Sequence, residues 1–255
     1  MSGVWLYSSE VTRSDSPAPH CEVSGARSSD LAHPDGWECW AVAAEFADGG
    51  TLTWGADHGD EVVFVAEGSL DTPVGTCERE GVVLVDAGVP ATITAAPGTR
   101  ILHWGSMSVD PPTDGPMGPA GSEGRSLHVI GPEGRYAREQ GAVVAQRYYV
   151  DATQPSSRIS LLLASADDAY TSVSHLHSED EIMYVRSGEL RVGRDVAPQG
   201  SFIAIKGDYR YRFQAPAAFS FLNFRRDVST VVVGTQEPPH LEICEVMGVP
   251  AVTTA

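Results

Sequence analysis

Short runs of Val, Ile, Tyr and Phe, each closed by Gly, Pro or Asp, constrain the fold of this 255-residue chain more than any other feature. Examples are EVVFVAEGSL from Glu61, GVVLVDAGVP from Gly81, EIMYVRSGEL from Glu181 and GSFIAIKGD from Gly200. Runs of this length and composition are typical of strands in an antiparallel sandwich or barrel. Helical periodicity over three or more turns is hard to find anywhere. The sequence therefore predicts an all-β protein.

The stretch from Ser108 to Gly124 divides the chain. It contains four prolines and four glycines and almost nothing to bury, which is the composition of a linker or an exposed loop. A chain of this length can form two small domains, each with its own core. We therefore predict an N-terminal domain over residues 1–107, a linker over 108–125 and a C-terminal domain over 126–255.

The two flanking halves resemble each other. In each half a glutamate precedes a strand, and a glycine follows it with six residues between them: Glu61 with Gly68, and Glu181 with Gly188. Further along, each half has an apolar strand that opens with a glycine and runs into a turn. Matched segments on either side of a linker indicate duplication of one β-domain.

The stretch His175-Leu176-His177-Ser178-Glu179-Asp180-Glu181 carries the strongest chemical pattern. Residues two apart in a strand point to the same side, so His175 and His177 would present both imidazoles to one space. Two histidines and one carboxylate form the facial triad that leaves metal positions open, and they suit iron, zinc, manganese or nickel. Glu179 shares the parity of Glu181, but the spacing to Gly188 favours Glu181. An HxH pair alone is weak, since exposed or packed histidines produce the same pattern.

The order HxH, three residues, Glu, six residues, Gly is the first motif of the cupin superfamily, although Ala169 replaces its usual leading glycine. Downstream, Gly200 is followed at the spacing of the second cupin motif by Lys206, Asp208 and Tyr211. The chain therefore resembles the two-domain cupins over residues 40–105 and 150–230. The resemblance implies two tandem jelly-roll barrels, with a metal held by the C-terminal one.

Tyr211 is the main departure from the pattern, because many cupins have a metal-binding histidine at this position. A tyrosine oxygen can ligate a hard metal, donate a proton, or orient a substrate or water. The alternative is a tyrosine that fills the barrel and extends its hydroxyl to solvent. We take Tyr211 as the candidate catalytic residue beside the metal ligands His175, His177 and Glu181.

Alternation along the later strands predicts which side chains face the barrel interior. In the strand predicted after Gly200, one side would carry Ile203, Ile205, Tyr209, Tyr211 and Phe213. Arg210 and Arg212 would face the other way, as surface or interface charges. In the following predicted strand, which begins at Phe219, one face would carry Phe219, Phe221, Asn223 and Arg225. Arg225 on an interior face can bind a substrate carboxylate, or it can pair at the rim. The candidate substrate-binding residues are Arg225, Asn223 and Phe213.

The N-terminal half lacks the triad. When it is laid on the C-terminal half, Gly55 and Asp57 stand where the histidines are, and only Glu61 remains. A lone carboxylate does not hold a transition metal against water, so this half is predicted to be non-catalytic. A site rebuilt from His58, His103 and a carboxylate is disfavoured, because His58 has the wrong parity. Four tryptophans are expected in the core or in an aromatic pocket: Trp37, Trp40, Trp54 and Trp104.

Net charge, the lack of a targeting segment and cysteine usage indicate which partners are disfavoured and where in the cell the protein is expected. The formal charge of −17 disfavours nucleic acid or an anionic membrane as a partner. The first residues lack the pattern of a signal peptide, and no stretch has the length of a transmembrane helix. The four widely spaced cysteines are typical of reduced structural thiols. These features predict a cytoplasmic protein.

The cupin resemblance implies a metal-dependent enzyme that acts on a small organic molecule in the C-terminal barrel. We favour an iron(II) dioxygenase with one divalent transition metal per chain, while zinc, manganese and nickel remain open. The alternative enzyme is a non-redox isomerase, lyase or hydrolase, and a further alternative is a non-catalytic small-molecule-binding cupin. Pairing through barrel edges predicts a homodimer.

Overall fold

Every regular element in the described part of the chain is a β-strand. The computed structural model describes residues 3–110, 123–140, 144–151, 153–234 and 240–241, and it contains no helix within them. In this part of the chain there is accordingly no helix long and apolar enough to cross a membrane. Most of the predicted linker, residues 111–122, lies outside the described residues, and so does Cys244. The other cysteines, Cys21, Cys39 and Cys77, are buried free thiols. The all-β prediction is confirmed.

The strands before the linker are short and mostly well buried. In chain order they are β1 (Val4–Ser8), β2 (Cys21–Ser24), β3 (Arg27–Ser28), β4 (Cys39–Phe46), β5 (Gly50–Trp54), β6 (Glu61–Glu67), β7 (Ser69–Thr72), β8 (Gly75–Glu78), β9 (Val82–Val85), β10 (Ala91–Ala95) and β11 (Thr99–Ser106).

The strands after the linker have similar lengths. They are β12 (Leu127–Ile130), β13 (Tyr136–Gln140), β14 (Val144–Val150), β15 (Ser160–Ala166), β16 (Tyr170–Thr171), β17 (His175–His177), β18 (Glu181–Ser187), β19 (Glu189–Val192), β20 (Asp195–Pro198), β21 (Ser201–Ile205), β22 (Phe213–Ala215), β23 (Phe219–Arg225), β24 (Thr230–Val233) and β25 (His240–Leu241).

The N-terminal half is built from two antiparallel sheets. A six-stranded sheet has the order β12-β9-β6-β11-β4-β3, and a five-stranded sheet has the order β2-β5-β10-β7-β8. Both sheets contribute to one apolar core, which includes Val63 and Ile101 from the larger sheet and Leu52 and Ile93 from the smaller one. Each strand therefore buries one face inside the half, as period-two alternation requires.

The C-terminal half repeats this layout with one large sheet and two small ones. The large sheet has the order β1-β21-β18-β23-β15-β14-β13, and the small sheets have the orders β16-β22-β19-β20 and β17-β24-β25. Its core joins Met183 and Ile203 of the large sheet to Leu190 and Phe213 of a small one.

The two halves agree in detail at the segments that look alike in sequence. Strands β6 and β18 each have seven residues and begin at a glutamate. Each is followed by a glycine in the left-handed region, Gly68 with φ 74° and Gly188 with φ 75°. A Cβ at Gly188 would lie 2.4 Å from the Ala218 carbonyl oxygen, so the turn requires glycine there. The same turn therefore ends the same strand in both halves.

A third core lies between the two large sheets. It includes Phe64 and Trp104 from the N-terminal half with Tyr149, Phe202 and Phe224 from the C-terminal half. The Trp104 ring stacks on Phe224 with centroids 6.4 Å apart. The halves are therefore packed together through the outer faces of their large sheets, and these sheets are buried on both sides.

Strand pairing crosses the boundary that the sequence suggests between the domains. Strand β1, at the start of the chain, pairs with β21 of the C-terminal half, with Val4 opposite Ile205. Strand β12, which follows the linker, pairs with β9 of the N-terminal half. The domain boundaries at residues 107 and 126 therefore remain a prediction. In the structure, the large sheet of each half includes one strand from the other side of these boundaries.

The predicted interior face after β21 needs one correction. Tyr209 is 41% exposed, whereas Ile203, Ile205, Tyr211 and Phe213 are buried as expected. The reason is a turn between β21 and Tyr211, in which Asp208 has a φ of 59°. A residue with this φ interrupts strand alternation, so Tyr209 does not share the face of Tyr211.

Candidate functional site

The two histidines of the HxH pair lie on the short strand β17, beside Tyr211. Backbone hydrogen bonds of 2.9 Å join the amide of each of His175 and Tyr211 to the carbonyl of the other. The ring centroid of His175 lies 5.1 Å from that of His177 and 4.5 Å from that of Tyr211. The two imidazoles and the phenol ring are therefore neighbours at one place in the C-terminal half.

Glu181 is the buried charge of this site. It is the first residue of β18 and is 1% exposed. The Tyr211 hydroxyl donates a hydrogen bond to Oε1 of Glu181. Nδ2 of Asn223 donates to Oε2 at 2.8 Å. Both carboxylate oxygens thus accept hydrogen bonds from side chains predicted to belong to the site.

Arg225 supplies the positive charge. It lies directly opposite Glu181 on β23 and is 3% exposed. Its Nε and Nη2 lie 3.3 Å and 2.9 Å from Oε2 of Glu181. Nη2 also lies 3.1 Å from Nε2 of His177. Because a guanidinium only donates, Nε2 of His177 accepts this hydrogen bond. We call His177, Glu181, Tyr211, Asn223 and Arg225 the Glu181 cluster.

The environment of Glu181 favours its ionised form. Burial raises the pKa of this carboxyl, but the charge of Arg225, the neighbouring His177 and the hydrogen bonds from Tyr211 and Asn223 outweigh burial and lower the pKa to about 2. The pair of Glu181 and Arg225 is therefore a carboxylate and a guanidinium at neutral pH, and together they carry no net charge.

The residues present do not fit a divalent metal in this arrangement. Among the described residues, no group of three or more His, Cys, Asp or Glu side chains is placed to hold a metal ion. Two atoms that could ligate a metal, Oε2 of Glu181 and Nε2 of His177, both contact Nη2 of Arg225. A dication there would add positive charge beside a buried guanidinium.

The other two predicted substrate-binding residues have different surroundings. Phe213 packs edge-on against Phe219 and Phe221, with centroids 5.9 Å and 5.4 Å away, and so belongs to the core of its half. Asn223 uses its amide nitrogen on Glu181, and its Oδ1 is buried without a hydrogen-bond partner among the described residues. A buried acceptor of this kind is suited to a donor group that comes from outside the chain.

A groove of about 650 Å³ runs along the surface next to Tyr211. Its walls carry four exposed arginines: Arg191, Arg194, Arg210 and Arg212. The sequence predicts Arg210 and Arg212 as surface charges, whereas Arg191 and Arg194 belong to no motif that would predict a role for them. They come from the hairpin of β19 and β20, which reaches the groove only in the folded chain. We call this feature the arginine groove.

The arginine groove has an apolar part and a link to the Glu181 cluster. Val4 and Val192 line it and are buried members of the C-terminal core. Tyr211 lines it as well, while its hydroxyl bonds to Glu181 inside the half. Asp195 is the one acidic residue among the described residues that line it. A molecule in the groove would therefore lie against the tyrosine that contacts the buried carboxylate.

The N-terminal half builds a different arrangement around Glu61. Nε1 of Trp54 and Nε2 of His103 each lie 2.7 Å from Oε2 of Glu61. Gly105 lies opposite Glu61, where Arg225 lies opposite Glu181. A Cβ on Gly105 would lie 2.6 Å from the Trp40 ring, so no arginine fits there. This half therefore pairs its carboxylate with an imidazole and an indole.

One detail of the N-terminal half differs from the sequence alignment. Trp54 pairs with Ala91 as His175 pairs with Tyr211, so Trp54 rather than Gly55 occupies the position of the first histidine. Strand pairing, and not distance along the chain, decides this placement. The sequence disfavours a site built from His58 and His103, and in the structure the ring nitrogens of the buried His58 lie 2.7 Å and 3.0 Å from the carbonyl oxygens of Gly59 and Val89.

Comparison with known proteins finds similarity to solved structures but not to family models or curated sequences. No protein-family model and no curated protein sequence matches the chain. The chain is similar to the crystal structure of protein Ylba from E. coli, of a family described as DUF861, with a TM-score of 0.64, 12% identity and 88% and 90% of the two chains covered. It is also similar to a putative glyoxylate induced protein from Pseudomonas aeruginosa, with a TM-score of 0.62, 16% identity and 84% of each chain covered.

A third similar structure is an oxalate decarboxylase from Lactobacillus farciminis in complex with formate. Its TM-score is 0.65 at 12% identity, with 89% of this chain and 88% of that chain covered. An oxalate decarboxylase from Bacillus subtilis is described as having Mn(II) centres. At these identities the likeness concerns the backbone and not the chemistry of the sites. The chain therefore shares the all-β fold of these proteins.

Proposed function

We propose that the C-terminal half binds a small anionic organic molecule in the arginine groove, against Tyr211. The observation that carries this proposal is the concentration of charge there. The chain has 17 Lys and Arg residues against 34 Asp and Glu residues. Among the described residues, four of those cationic residues and one aspartate nevertheless line this one groove. An otherwise acidic surface repels anions, so a local excess of arginine selects for them.

The chemistry of the guanidinium group indicates which acid groups the ligand would carry. A guanidinium presents a planar fork of donors that matches a carboxylate or a phosphate with two parallel hydrogen bonds. Arg210 donates one hydrogen bond to the Gly234 carbonyl, and Arg191 forms an ion pair with Glu189. Within the described residues, Arg194 and Arg212 make no hydrogen bond, so their donors remain available. The groove thus has donors for at least one acid group.

The size and floor of the groove indicate a compact ligand. About 650 Å³ lies within the range of small-molecule sites in proteins. The side chains of Val4 and Val192 offer apolar contact between the arginines. An organic acid with a short hydrocarbon body satisfies both parts of the groove. This agrees with the non-catalytic small-molecule-binding alternative from the sequence.

Calorimetric titration with succinate and with its neutral diamide tests the proposal. We expect succinate to bind and the diamide not to bind. In an Arg194→Gln/Arg212→Gln variant the affinity for succinate should fall about tenfold, because two charge-assisted contacts are lost. The matched control is Arg79→Gln/Arg100→Gln, which removes the same charge from the N-terminal half. Equal binding of both compounds, or unchanged binding by the groove variant, would refute the proposal.

A metal-dependent enzyme is the second candidate function. The specific observation in its favour is that His177 and Glu181 contact the same nitrogen of Arg225, with the His175 ring centroid 5.1 Å from that of His177, in a fold similar to that of an oxalate decarboxylase. This candidate requires Arg225 to leave the position that it occupies between His177 and Glu181. Within this candidate, the iron(II) dioxygenase is the finer prediction, and a non-redox isomerase, lyase or hydrolase using zinc, manganese or nickel is its alternative. Metal analysis of protein purified anaerobically without a histidine tag, with His177→Ala beside it, tests the candidate. Metal that is bound by the wild type and lost in the variant would support it.

A further inference from the structure

We propose that Arg225 takes the place of a metal ion at the Glu181 cluster, so that the side chain itself supplies the cation that this carboxylate and imidazole surround. The proposal concerns the interior of the C-terminal half. It does not depend on what binds in the arginine groove, because Arg225 does not line that groove.

The convergence of acceptors on one nitrogen is the first argument. Nη2 of Arg225 lies 2.9 Å from Oε2 of Glu181 and 3.1 Å from Nε2 of His177. A carboxylate oxygen and a neutral imidazole nitrogen are donor atoms that also ligate transition metals. Here both are directed at a single charged N–H group. The position between them is thus filled by a cation that belongs to the chain.

The register of the large sheet is the second argument. Arg225 lies directly across from Glu181 on the neighbouring strand, and Asn223, two residues earlier on the same face, also donates to Glu181. The backbone pairing of β18 and β23 therefore delivers both donors to the carboxylate. A side chain placed by a central strand pair and 3% exposed is part of the core and not a surface arginine that has folded inward.

The counterpart in the N-terminal half is the third argument. Gly105 takes the position of Arg225, and the Trp40 ring fills the space above it. There Trp54 and His103 both bond Oε2 of Glu61, while its Oε1 has no hydrogen-bond partner among the described residues. The two halves thus place different donors on Oε2 of an equivalent buried carboxylate, and only the C-terminal half uses an arginine.

Charge balance makes the arrangement exclusive. Glu181 and Arg225 neutralise each other, and the hydrogen bonds from Tyr211 and Asn223 complete the shell of the carboxylate. A dication could bind Oε2 of Glu181 only if Nη2 of Arg225 left it, and this would break a buried ion pair. Conversely, without the arginine, the buried carboxylate beside the His177 imidazole would attract a divalent cation.

The test is a gain of metal binding. Co²⁺ serves as the probe, followed by calorimetry and by the visible absorption of the bound ion. We expect the wild type to show no stoichiometric binding that depends on His177. Arg225→Gln should bind about one equivalent of Co²⁺ at least roughly tenfold more tightly, because the competing charge is gone. The gain should disappear in Arg225→Gln/His177→Ala, and Arg225→Lys, which keeps a cation, should not show it.

Two results would overturn the proposal. One is stoichiometric Co²⁺ binding by the wild type that is lost in His177→Ala, since the arginine would then not exclude the metal. The other is a folded Arg225→Gln variant, as judged by circular dichroism, with no more affinity for Co²⁺ than the wild type. The wild-type measurement decides the matter even if Arg225→Gln fails to fold. Succinate binding is measured separately, so failure of the proposed function and failure of this inference remain distinguishable.

Discussion

At the scale of single residues, one buried carboxylate organises the C-terminal half. Glu181 accepts hydrogen bonds from Tyr211 and Asn223 and forms an ion pair with Arg225. The Tyr211 hydroxyl bonds Oε1, whereas Asn223 and Arg225, two residues apart on β23, share Oε2. Because an unmade hydrogen bond in the interior costs more than a made one contributes, each donor is sensitive to replacement.

Tyr211→Phe removes one of these donors without changing the shape of the ring. We expect the free energy of unfolding to fall by about 1–3 kcal/mol, because Oε1 of Glu181 loses the hydroxyl that bonds to it. Urea denaturation measures the change. Tyr209→Phe is the matched control, because Tyr209 is 41% exposed, and its effect should stay within about 0.5 kcal/mol. Equal effects of the two substitutions would contradict a structural role for the Tyr211 hydroxyl.

The low pKa of Glu181 predicts a loss of stability in acid. The folded state holds this pKa at about 2, below the ordinary value of 4.5. A group with a lowered pKa stabilises the folded state above its unfolded pKa, and the contribution is lost as the pH falls from about 4.5 towards 2. The expected loss is of the order of 3 kcal/mol. Urea denaturation from pH 6 to pH 2 should show a shallower dependence on pH in Glu181→Gln, and identical slopes would be evidence against the assignment.

At the scale of elements, the exchanged strands tie the two halves together. Strand β1 covers the edge of β21, and β12 covers the edge of β9. Trp5 of β1 also packs edge-on against Trp37 of the N-terminal half, with centroids 5.3 Å apart. An uncovered strand edge is a template for pairing with another chain, so β1 protects the large sheet of the C-terminal half.

Deleting residues 1–8 should destabilise the C-terminal half, although these residues begin the chain. The reason is that β21 loses its neighbour and exposes unpaired backbone groups. We expect a lower melting temperature, together with self-association in size-exclusion chromatography with light scattering. A chain that lacks only residues 1 and 2 is the control and should behave as the full chain does. A truncated chain that stays equally stable and unassociated would show that β1 contributes little.

At the scale of the whole molecule, the shared core makes the two halves one folding unit. Trp104 contacts Phe202 and Phe224 across the interface, with ring centroids 6.3 Å and 6.4 Å apart. Burial of large aromatic rings between the large sheets couples their unfolding. The predicted homodimer is a separate proposal, which light scattering of the full chain tests.

Trp104→Ala should weaken this coupling. The expected cost is about 3–5 kcal/mol, as for other large-to-small substitutions of aromatic residues in cores. The wild type should unfold in one transition by tryptophan fluorescence and by circular dichroism, whereas the variant should show transitions that no longer coincide. Leu190→Ala, in the core of the C-terminal half alone, is the comparison and should destabilise without separating the two probes. Coincident transitions in Trp104→Ala would mean that the halves are coupled in another way.

The sequence by itself determined the strands and their turns, because those depend on neighbours along the chain. Glu181 and Gly188 bracket β18 as predicted, and the HxH pair lies on a strand with neighbouring imidazoles. Tyr209 shows the limit of this reasoning, since one turn residue with positive φ ended the alternation.

Only the tertiary structure decided what surrounds the carboxylate. Arg225 is 44 residues from Glu181 along the chain, and the register of β18 and β23 brings them together. The arginine groove likewise joins the β19–β20 hairpin to the segment before β22. The register between strands that are distant in sequence depends on side-chain packing throughout the core. It therefore cannot be predicted from a local sequence pattern. The sequence therefore predicted Glu181 and the two histidines as site residues. That the cation beside Glu181 and His177 is Arg225 follows only from the tertiary structure.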